Sequence, residues 1–156
     1  DAALVNGATT FMIGLSMSFA AFLAMEQVPA RICEWMLSLS SSPAMILLII
    51  NILLLTVGCF VDNISSMIIL TPILLPIVTK IGIDPVHFGL VMTVALATGF
   101  VTPPYGANLF VASAVSGVNM VRLSKAVGPF ILVMISCLLL FTYIPSISMS
   151  LVWMLR

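Results

Sequence analysis

Residue types able to bind a ligand occur at two points inside long apolar stretches, and the more informative point is a double proline. Residues 99–108 read Gly-Phe-Val-Thr-Pro-Pro-Tyr-Gly-Ala-Asn. Pro103 and Pro104 lack backbone N–H donors and clash with the preceding turn, so a helix breaks here. In a bilayer, the backbone groups freed by a break persist only where they line a cavity or hold a ligand. The pattern predicts a binding site in which half-helix N-termini face anions and unwound carbonyls face cations.

The second point is a polar pair, Asp62 and Asn63, at the centre of an apolar stretch over residues 44–79. This stretch is too long for one span and too short for two full spans with a loop. We therefore expect a re-entrant helical hairpin whose tip lies inside the membrane and whose arms have about 14 residues, about 20 Å each. If this tip and the proline break lie at similar depth, their unwound segments converge on one small volume.

The composition favours a membrane protein and excludes several other classes. Charged residues make up 6% and hydrophobic residues 62% of the chain, whereas soluble domains have roughly 25% charged residues. Lys and Arg balance Asp and Glu, and no basic cluster indicates nucleic acid binding. One histidine, His87 in a predicted surface turn, and three scattered cysteines supply no catalytic cluster, so we do not expect an enzyme.

The first two of four predicted segments lead into the break. Residues 1–43 should form a scaffold transmembrane helix over 4–25, followed by an amphipathic connector at headgroup level. Residues 44–79 form the re-entrant hairpin, in which Pro72 and Pro76 kink the returning arm without ending it.

The last two segments contain the break and a final span. Residues 80–120 should form a turn and a broken transmembrane helix, interrupted at 102–106. Residues 121–156 should form a basic connector, from Arg122 to Lys125, and a final scaffold helix. The expected helical ranges are 88–99, 107–118 and, with an interruption at Pro145, 128–153. The expected fold class is thus an all-α integral membrane protein with a re-entrant helical hairpin and a discontinuous helix.

Four motifs together resemble the C-terminal half of the large membrane subunit of TRAP transporters, the tripartite ATP-independent periplasmic transporters or DctM-like permease family. The resemblance is specific as a combination and covers residues 45–156 best. The motifs are Gly58-Cys-Phe-Val-Asp-Asn, Leu70-Thr-Pro-Ile-Leu-Leu-Pro, Gly82-Ile-Asp-Pro-Val-His-Phe-Gly and Gly99-Phe-Val-Thr-Pro-Pro-Tyr-Gly.

The resemblance implies a sodium-coupled importer of organic acids, such as C4-dicarboxylates or sialic acid, in a bacterial or archaeal inner membrane. Relatives receive a carboxylate from a periplasmic substrate-binding protein and work with a small membrane subunit. Their large subunit has two inverted repeats and moves as an elevator. This chain, which begins at Asp1, would supply the second repeat and need the N-terminal half of the same permease as a partner.

For the coupling ion, the resemblance implies a sodium site formed mainly by backbone carbonyls, with no other cofactor. The ligands it indicates are Gly58, Gly99, Thr102 and Tyr105. Each has an alternative structural interpretation. The glycines allow close helix packing, and the Thr102 hydroxyl bonds to the carbonyl one turn back. The Tyr105 ring itself is expected to be incidental.

For the carboxylate substrate, the candidates are Asp62, Asn63, Pro103 and Asn108. Asp62 has the alternative role of capping the returning helix arm through backbone amides, and Asn108 that of capping the second half-helix. His87 is expected to be structural rather than proton-coupled.

Two further functional classes remain open at this point. The chain is alternatively half of another sodium-coupled dicarboxylate transporter of the ion-transporter superfamily, or a non-transporting membrane or channel subunit whose broken helices line a pore. Sodium-dependent uptake by the full-length protein distinguishes these possibilities.

Overall fold

The computed structural model describes residues 10–11, 14–15, 17–19, 21–23, 25–39 and 42–155. The predicted span over 4–25 falls largely outside these residues. The described residues contain α-helices and no β-strand, which confirms the all-α class. The helices are α1 Val28–Leu39, α2 Pro43–Phe60, α3 Asn63–Lys80, α4 Pro85–Gly99, α5 Ala107–Ser116, α6 Met120–Tyr143 and α7 Pro145–Leu155.

Three of these helices are long and apolar enough to cross a membrane. Helices α2 and α3 have 18 residues each and α6 has 24, which corresponds to about 27 Å and about 36 Å at about 1.5 Å per residue. The hydrocarbon core of a bilayer is about 30 Å thick. The described part of the chain therefore has the composition and helix lengths of a multi-pass membrane protein.

The predicted hairpin differs from the structure in the length of its arms. Helices α2 and α3 are joined by Val61 and Asp62 alone, so the expectation of about 14 residues per arm is wrong. The tip is short because Asp62 caps α3 directly and helix starts at the next residue. Pro72 and Pro76 lie inside α3 without ending it, as expected. Re-entry into the membrane stays a prediction.

Helix α4 begins at Pro85, three residues before the expected start. Asp84 is its N-cap, and the Asp84 side chain accepts a hydrogen bond of 2.8 Å from the Val86 N–H. Proline at the first helical position is favourable because its missing N–H has no helical partner there. His87 consequently lies in the first turn of α4 and is 3% exposed. The expectation of a surface position for His87 is wrong.

Helix α6 begins at Met120, so the basic segment predicted as a connector is helical. The Asn119 side chain accepts a hydrogen bond of 2.9 Å from the Val121 N–H and caps the helix. Arg122 and Lys125 thus lie in the first turns of α6. Helix α6 ends before Pro145, where the interruption was expected. The division into four segments stays a prediction.

Helix α4 is the central element of the packing, in contact with α2, α3, α6 and α7. Its core residues Val91, Ala95 and Leu96 are fully buried. The same hydrophobic cluster takes Ile46, Ile50, Leu54, Leu74, Ile77, Val78 and Leu138 from the surrounding helices. This packing fixes both ends of α4, and the break follows its C-terminal end.

The amphipathic segment before the hairpin forms helix α1, which packs against α3. Arg31, Glu34 and Trp35 are exposed, whereas Met36 is 3% exposed and belongs to the core. One face of α1 therefore packs against the core, and the exposed face carries two charged side chains and a tryptophan.

Candidate functional site

The predicted break is present and separates α4 from α5. Residues 100–106 are non-helical, two more at the N-terminal side than expected. The Thr102 N–H donates to the Gly99 carbonyl over 2.9 Å, which closes a tight turn. Gly106 has φ 38°, and a Cβ atom there would lie 2.9 Å from the Thr102 carbonyl oxygen. Glycine is required there both by its backbone conformation and by this close approach.

The backbones of α2 and α4 touch next to the break, at Gly58 and Gly99. A Cβ atom on Gly99 would lie 2.6 Å from the Leu55 carbonyl oxygen and 2.9 Å from the Gly58 Cα. A Cβ atom on Gly58 would lie 2.7 Å from the Leu96 carbonyl oxygen. The close-packing interpretation therefore holds for both glycines. The contact also brings the C-terminal ends of the two helices, where carbonyls lose their helical partners, to one place.

Thr102 links the break to α2 through its two oxygens. Its hydroxyl donates to the Thr98 carbonyl over 2.7 Å, the alternative expected for a membrane threonine. Its carbonyl accepts from the Cys59 thiol, with Sγ and oxygen 3.1 Å apart. A hydroxyl has one hydrogen and two lone pairs, so the Thr102 hydroxyl oxygen keeps acceptor capacity while it donates. The two interpretations of Thr102 are compatible.

Aromatic side chains lie across the junction of the two interrupted elements. The Tyr105 ring stacks on Phe60, the last residue of α2, with ring centroids 6.2 Å apart. Its centroid also lies 5.0 Å from that of Phe110 in α5. The Tyr105 ring therefore joins the end of α2 to the start of α5, and the expectation that it takes no part in ion binding stays a prediction.

A cavity of about 200 Å³ opens at this junction. Its lining combines the last two turns of α2 with the first residues of the break: Leu55, Thr56, Cys59, Phe60, Thr102, Pro103 and Pro104. Pro103, predicted to face substrate, thus lines a cavity together with Thr102. Neither Cys59 nor Phe60 was predicted as a site residue, although both belong to the first of the quoted motifs.

Asp62 caps α3 with only one of its two carboxylate oxygens. Its Oδ2 atom accepts from the backbone N–H groups of Ile64 and Ser65 over 3.1 Å each, and from the Ser65 hydroxyl over 3.4 Å. The capping interpretation is therefore confirmed. No donor among the described residues is found for its Oδ1, and Asp62 is exposed. The carboxylate can cap the helix and still offer one oxygen to a ligand.

Two further oxygens in the first turn of α3 are buried without a hydrogen-bond partner among the described residues. They are Asn63 Oδ1 and Ser66 Oγ. Buried polar groups are almost always hydrogen-bonded in proteins, so each of these groups needs a hydrogen-bond partner or a cation. Ser66 was not predicted as a site residue. Its burial, at 2% exposed, depends on neighbouring helices that local sequence does not specify.

The structure brings Gly58, Gly99 and Thr102 together through the contacts given above, and Tyr105 reaches this cluster through its ring contact with Phe60. Asn108 lies across the break, where its backbone N–H donates to the Phe100 carbonyl over 3.3 Å, and its side chain is exposed. Within the described ranges, no cluster of three or more His, Cys, Asp or Glu side chains could hold a metal ion.

The fold and the site together define a helical membrane protein with two interrupted elements in contact. Residues 1–147 match the model of the family described as the tripartite ATP-independent periplasmic transporter, DctM component. The chain belongs to this family, and the resemblance found in its motifs is confirmed.

Curated relatives cover most of this chain. It is 47% identical over 149 residues to the isethionate TRAP transporter permease protein DctMQ of Oleidesulfovibrio alaskensis, covering 96% of the chain and 24% of the relative. It is 42% identical over 141 residues to the C4-dicarboxylate TRAP transporter large permease protein DctM of Pseudomonas aeruginosa, covering 90% and 33%. The sialic acid TRAP transporter large permease protein SiaM of Vibrio cholerae is 35% identical over 133 residues, covering 85% and 31%. The chain thus spans a quarter to a third of these relatives' length.

Proposed function

We propose that this chain is the second repeat of the large membrane subunit of a sodium-coupled TRAP transporter that imports organic acids. The observation that carries the proposal is the contact between the two interrupted elements, where Gly58 of α2 meets Gly99 of α4 beside the break. Its partners would be the N-terminal half of the permease, a small membrane subunit and a periplasmic substrate-binding protein. Its location would be the bacterial or archaeal inner membrane.

The sodium site of this proposal lies at the glycine contact. Two helices end there, and carbonyls at helix ends lack intrahelical partners. Sodium is a hard cation and takes oxygen ligands, as unwound carbonyls in transporters supply. Carbonyls of Gly58, Gly99 and Tyr105 and the oxygens of Thr102 would coordinate the ion. The adjoining cavity is lined by neutral side chains. The positive charge of the ion would therefore be balanced by the substrate.

The substrate site of this proposal lies at the starts of α3 and α5. Helix N-termini carry partial positive charge and unpaired N–H groups, which favour anions. The start of α3 contributes Asp62 and Asn63, the start of α5 contributes Asn108, and the break contributes Pro103. The first turn of α3 also contributes the Ser66 hydroxyl. The named relatives handle isethionate, C4-dicarboxylate and sialic acid, which are all organic anions. The proposed substrate class is therefore an organic acid in its anionic form.

The proposal is tested by labelled uptake in the full-length permease, reconstituted with its small subunit and binding protein. Uptake should require an inward sodium gradient. Thr102→Ala should raise the sodium concentration for half-maximal uptake several-fold, while Thr102→Ser, which keeps the hydroxyl, should stay near wild type. Membrane insertion and expression of both variants should match wild type.

Two results would contradict the proposal. Uptake that is independent of sodium would show that sodium is not the coupling ion. Absence of uptake in the complete complex would favour a non-transporting subunit. Unchanged sodium activation in Thr102→Ala would show only that Thr102 is not a ligand of the ion, and would leave the rest of the proposal standing.

A further inference from the structure

Cys59, to which the proposed function gives no role, joins the end of α2 to the break. It is the last residue but one of α2 and is 5% exposed. Its thiol donates a hydrogen bond to the Thr102 carbonyl, with Sγ and oxygen 3.1 Å apart. Both residues line the cavity of about 200 Å³ at this junction. The thiol therefore acts on an oxygen that the proposed function assigns to the ion.

The other hydrogen bonds of Thr102 are local. Its N–H donates to the Gly99 carbonyl over 2.9 Å, and its hydroxyl donates to the Thr98 carbonyl over 2.7 Å. Both acceptors lie in the last turn of α4, so these two bonds hold Thr102 to α4 and do not relate it to α2. Of the three bonds, the one from Cys59 crosses to α2. It therefore sets the direction of the Thr102 carbonyl relative to the end of α2.

A thiol is a suitable donor to an oxygen that also binds a cation. A carbonyl oxygen has two lone pairs, and the S–H group is a weak donor that occupies one of them. The second lone pair stays available, and a weak hydrogen bond withdraws little electron density from the oxygen. The Cys59 thiol can thus orient the Thr102 carbonyl while that carbonyl keeps its capacity for a cation, which unwound carbonyls bind in transporters.

We propose that Cys59 is a positioning residue of the ion site, which sets the sodium affinity through the Thr102 carbonyl without touching the ion. This role rests on the proposed function, because it requires a sodium ion where α2 meets the break. The alternative role is packing, since a buried free cysteine behaves as a small hydrophobic residue. The two roles differ in what can replace the thiol. A positioning role needs a donor, whereas a packing role needs a side chain of similar volume.

Two substitutions at Cys59 separate these roles. Cys59→Ser keeps a donor but is smaller, and Cys59→Val keeps the approximate volume but has no donor. Sodium-dependent uptake is measured for both variants in the full-length permease, reconstituted with its small subunit and binding protein. We expect Cys59→Val to raise the sodium concentration for half-maximal uptake several-fold, and Cys59→Ser to raise it less. Maximal uptake at saturating sodium should stay near wild type in both variants.

Cys137 in α6 provides the matched control, because it is also a free cysteine but is exposed. Cys137→Ser and Cys137→Val should leave the sodium dependence unchanged. A Cys59→Val variant with wild-type sodium affinity would overturn the positioning role, and so would equal effects of Cys59→Val and Cys59→Ser. Both results would leave the proposed function intact. Wild-type uptake that does not require sodium would instead overturn the proposed function, and the role of Cys59 with it.

Infrared spectroscopy tests the same hydrogen bond in the wild-type permease, so the test does not depend on the folding of Cys59→Val. The S–H stretching frequency reports the hydrogen bonding of a thiol. A sodium ion on the Thr102 carbonyl draws electron density from its oxygen and weakens the bond from Cys59. The difference spectrum between sodium chloride and choline chloride should therefore show an S–H band that moves to higher frequency with sodium. This band should be absent in Cys59→Ser and present in Cys137→Ser. A permease that requires sodium for uptake but lacks this band would overturn the positioning role.

Discussion

A methyl group added at Gly99 should separate α2 from α4 and disrupt the proposed ion site. The new Cβ atom would lie 2.6 Å from the Leu55 carbonyl oxygen, whereas ordinary contacts begin at 3.4 Å. The helices must therefore move apart by about 0.8 Å at this point, because both neighbours are backbone and cannot rotate away. Overpacking of this kind costs about 1–3 kcal/mol. We expect Gly99→Ala to lower the free energy of unfolding by that amount.

The matched control is Gly89→Ala on the same helix. A Cβ atom on Gly89 has no other atom within 4 Å, and alanine is a better helix former than glycine by about 0.8–1 kcal/mol. The variant should be as stable as wild type or more stable. A difference between the two variants therefore reports the contact between the helices rather than helix propensity.

The assay is thermal unfolding of the purified full-length permease in detergent, with and without sodium chloride, and with choline chloride as the ionic-strength control. Wild type and Gly89→Ala should be stabilised by sodium, since a bound ion favours the folded state. Gly99→Ala should unfold at lower temperature and show a smaller sodium response. A Gly99→Ala variant with wild-type stability would refute the packing argument, and one with a wild-type sodium response would refute the location of the ion.

Two further predictions concern bonds seen in the structure. Asp62→Asn should keep the cap of α3 and most of the stability, because an amide oxygen accepts hydrogen bonds from the same N–H groups, whereas Asp62→Ala should lose about 0.5–2 kcal/mol. Chemical unfolding of the two variants measures the difference. Equal losses of stability would show that the charge of Asp62 matters rather than its capping hydrogen bonds. Thr142→Val should destabilise the protein by about 1–3 kcal/mol, because the Asn51 amide, which donates to the Thr142 hydroxyl over 2.9 Å, would be buried without an acceptor. Asn51→Leu in the Thr142→Val background should recover part of this loss. A double variant whose loss of stability equals the sum of the two single losses would contradict this reasoning.

Local features of the fold were predictable because their causes lie within a few residues. The double proline sets the position of the break, and the side chains of Asp62 and Asp84 start α3 and α4. The arms of the hairpin are longer than expected for a local reason as well. About 14 residues per arm were expected, but Asp62 caps α3 and Asn63 already belongs to that helix, so each arm has 18 residues.

The candidate site was predictable only as a set of residues. The motifs named Gly58, Gly99, Thr102 and Tyr105, but the bond from Cys59 to the Thr102 carbonyl joins residues 43 positions apart. No local pattern specifies such a contact, since it follows from the rotation of α2 about its axis relative to α4. Sodium coordination and substrate contacts at these residues remain proposals.

The sequence by itself determined that the chain is apolar, helical and broken at Pro103–Pro104, because composition, backbone donors and capping side chains act locally. Only the tertiary structure decided that Gly58 meets Gly99, that the Tyr105 ring rests on Phe60, and that His87 is buried against Ser148. These contacts join residues far apart along the chain. They depend on how whole helices pack around α4, and the free energy of that packing is a property of all the helices together.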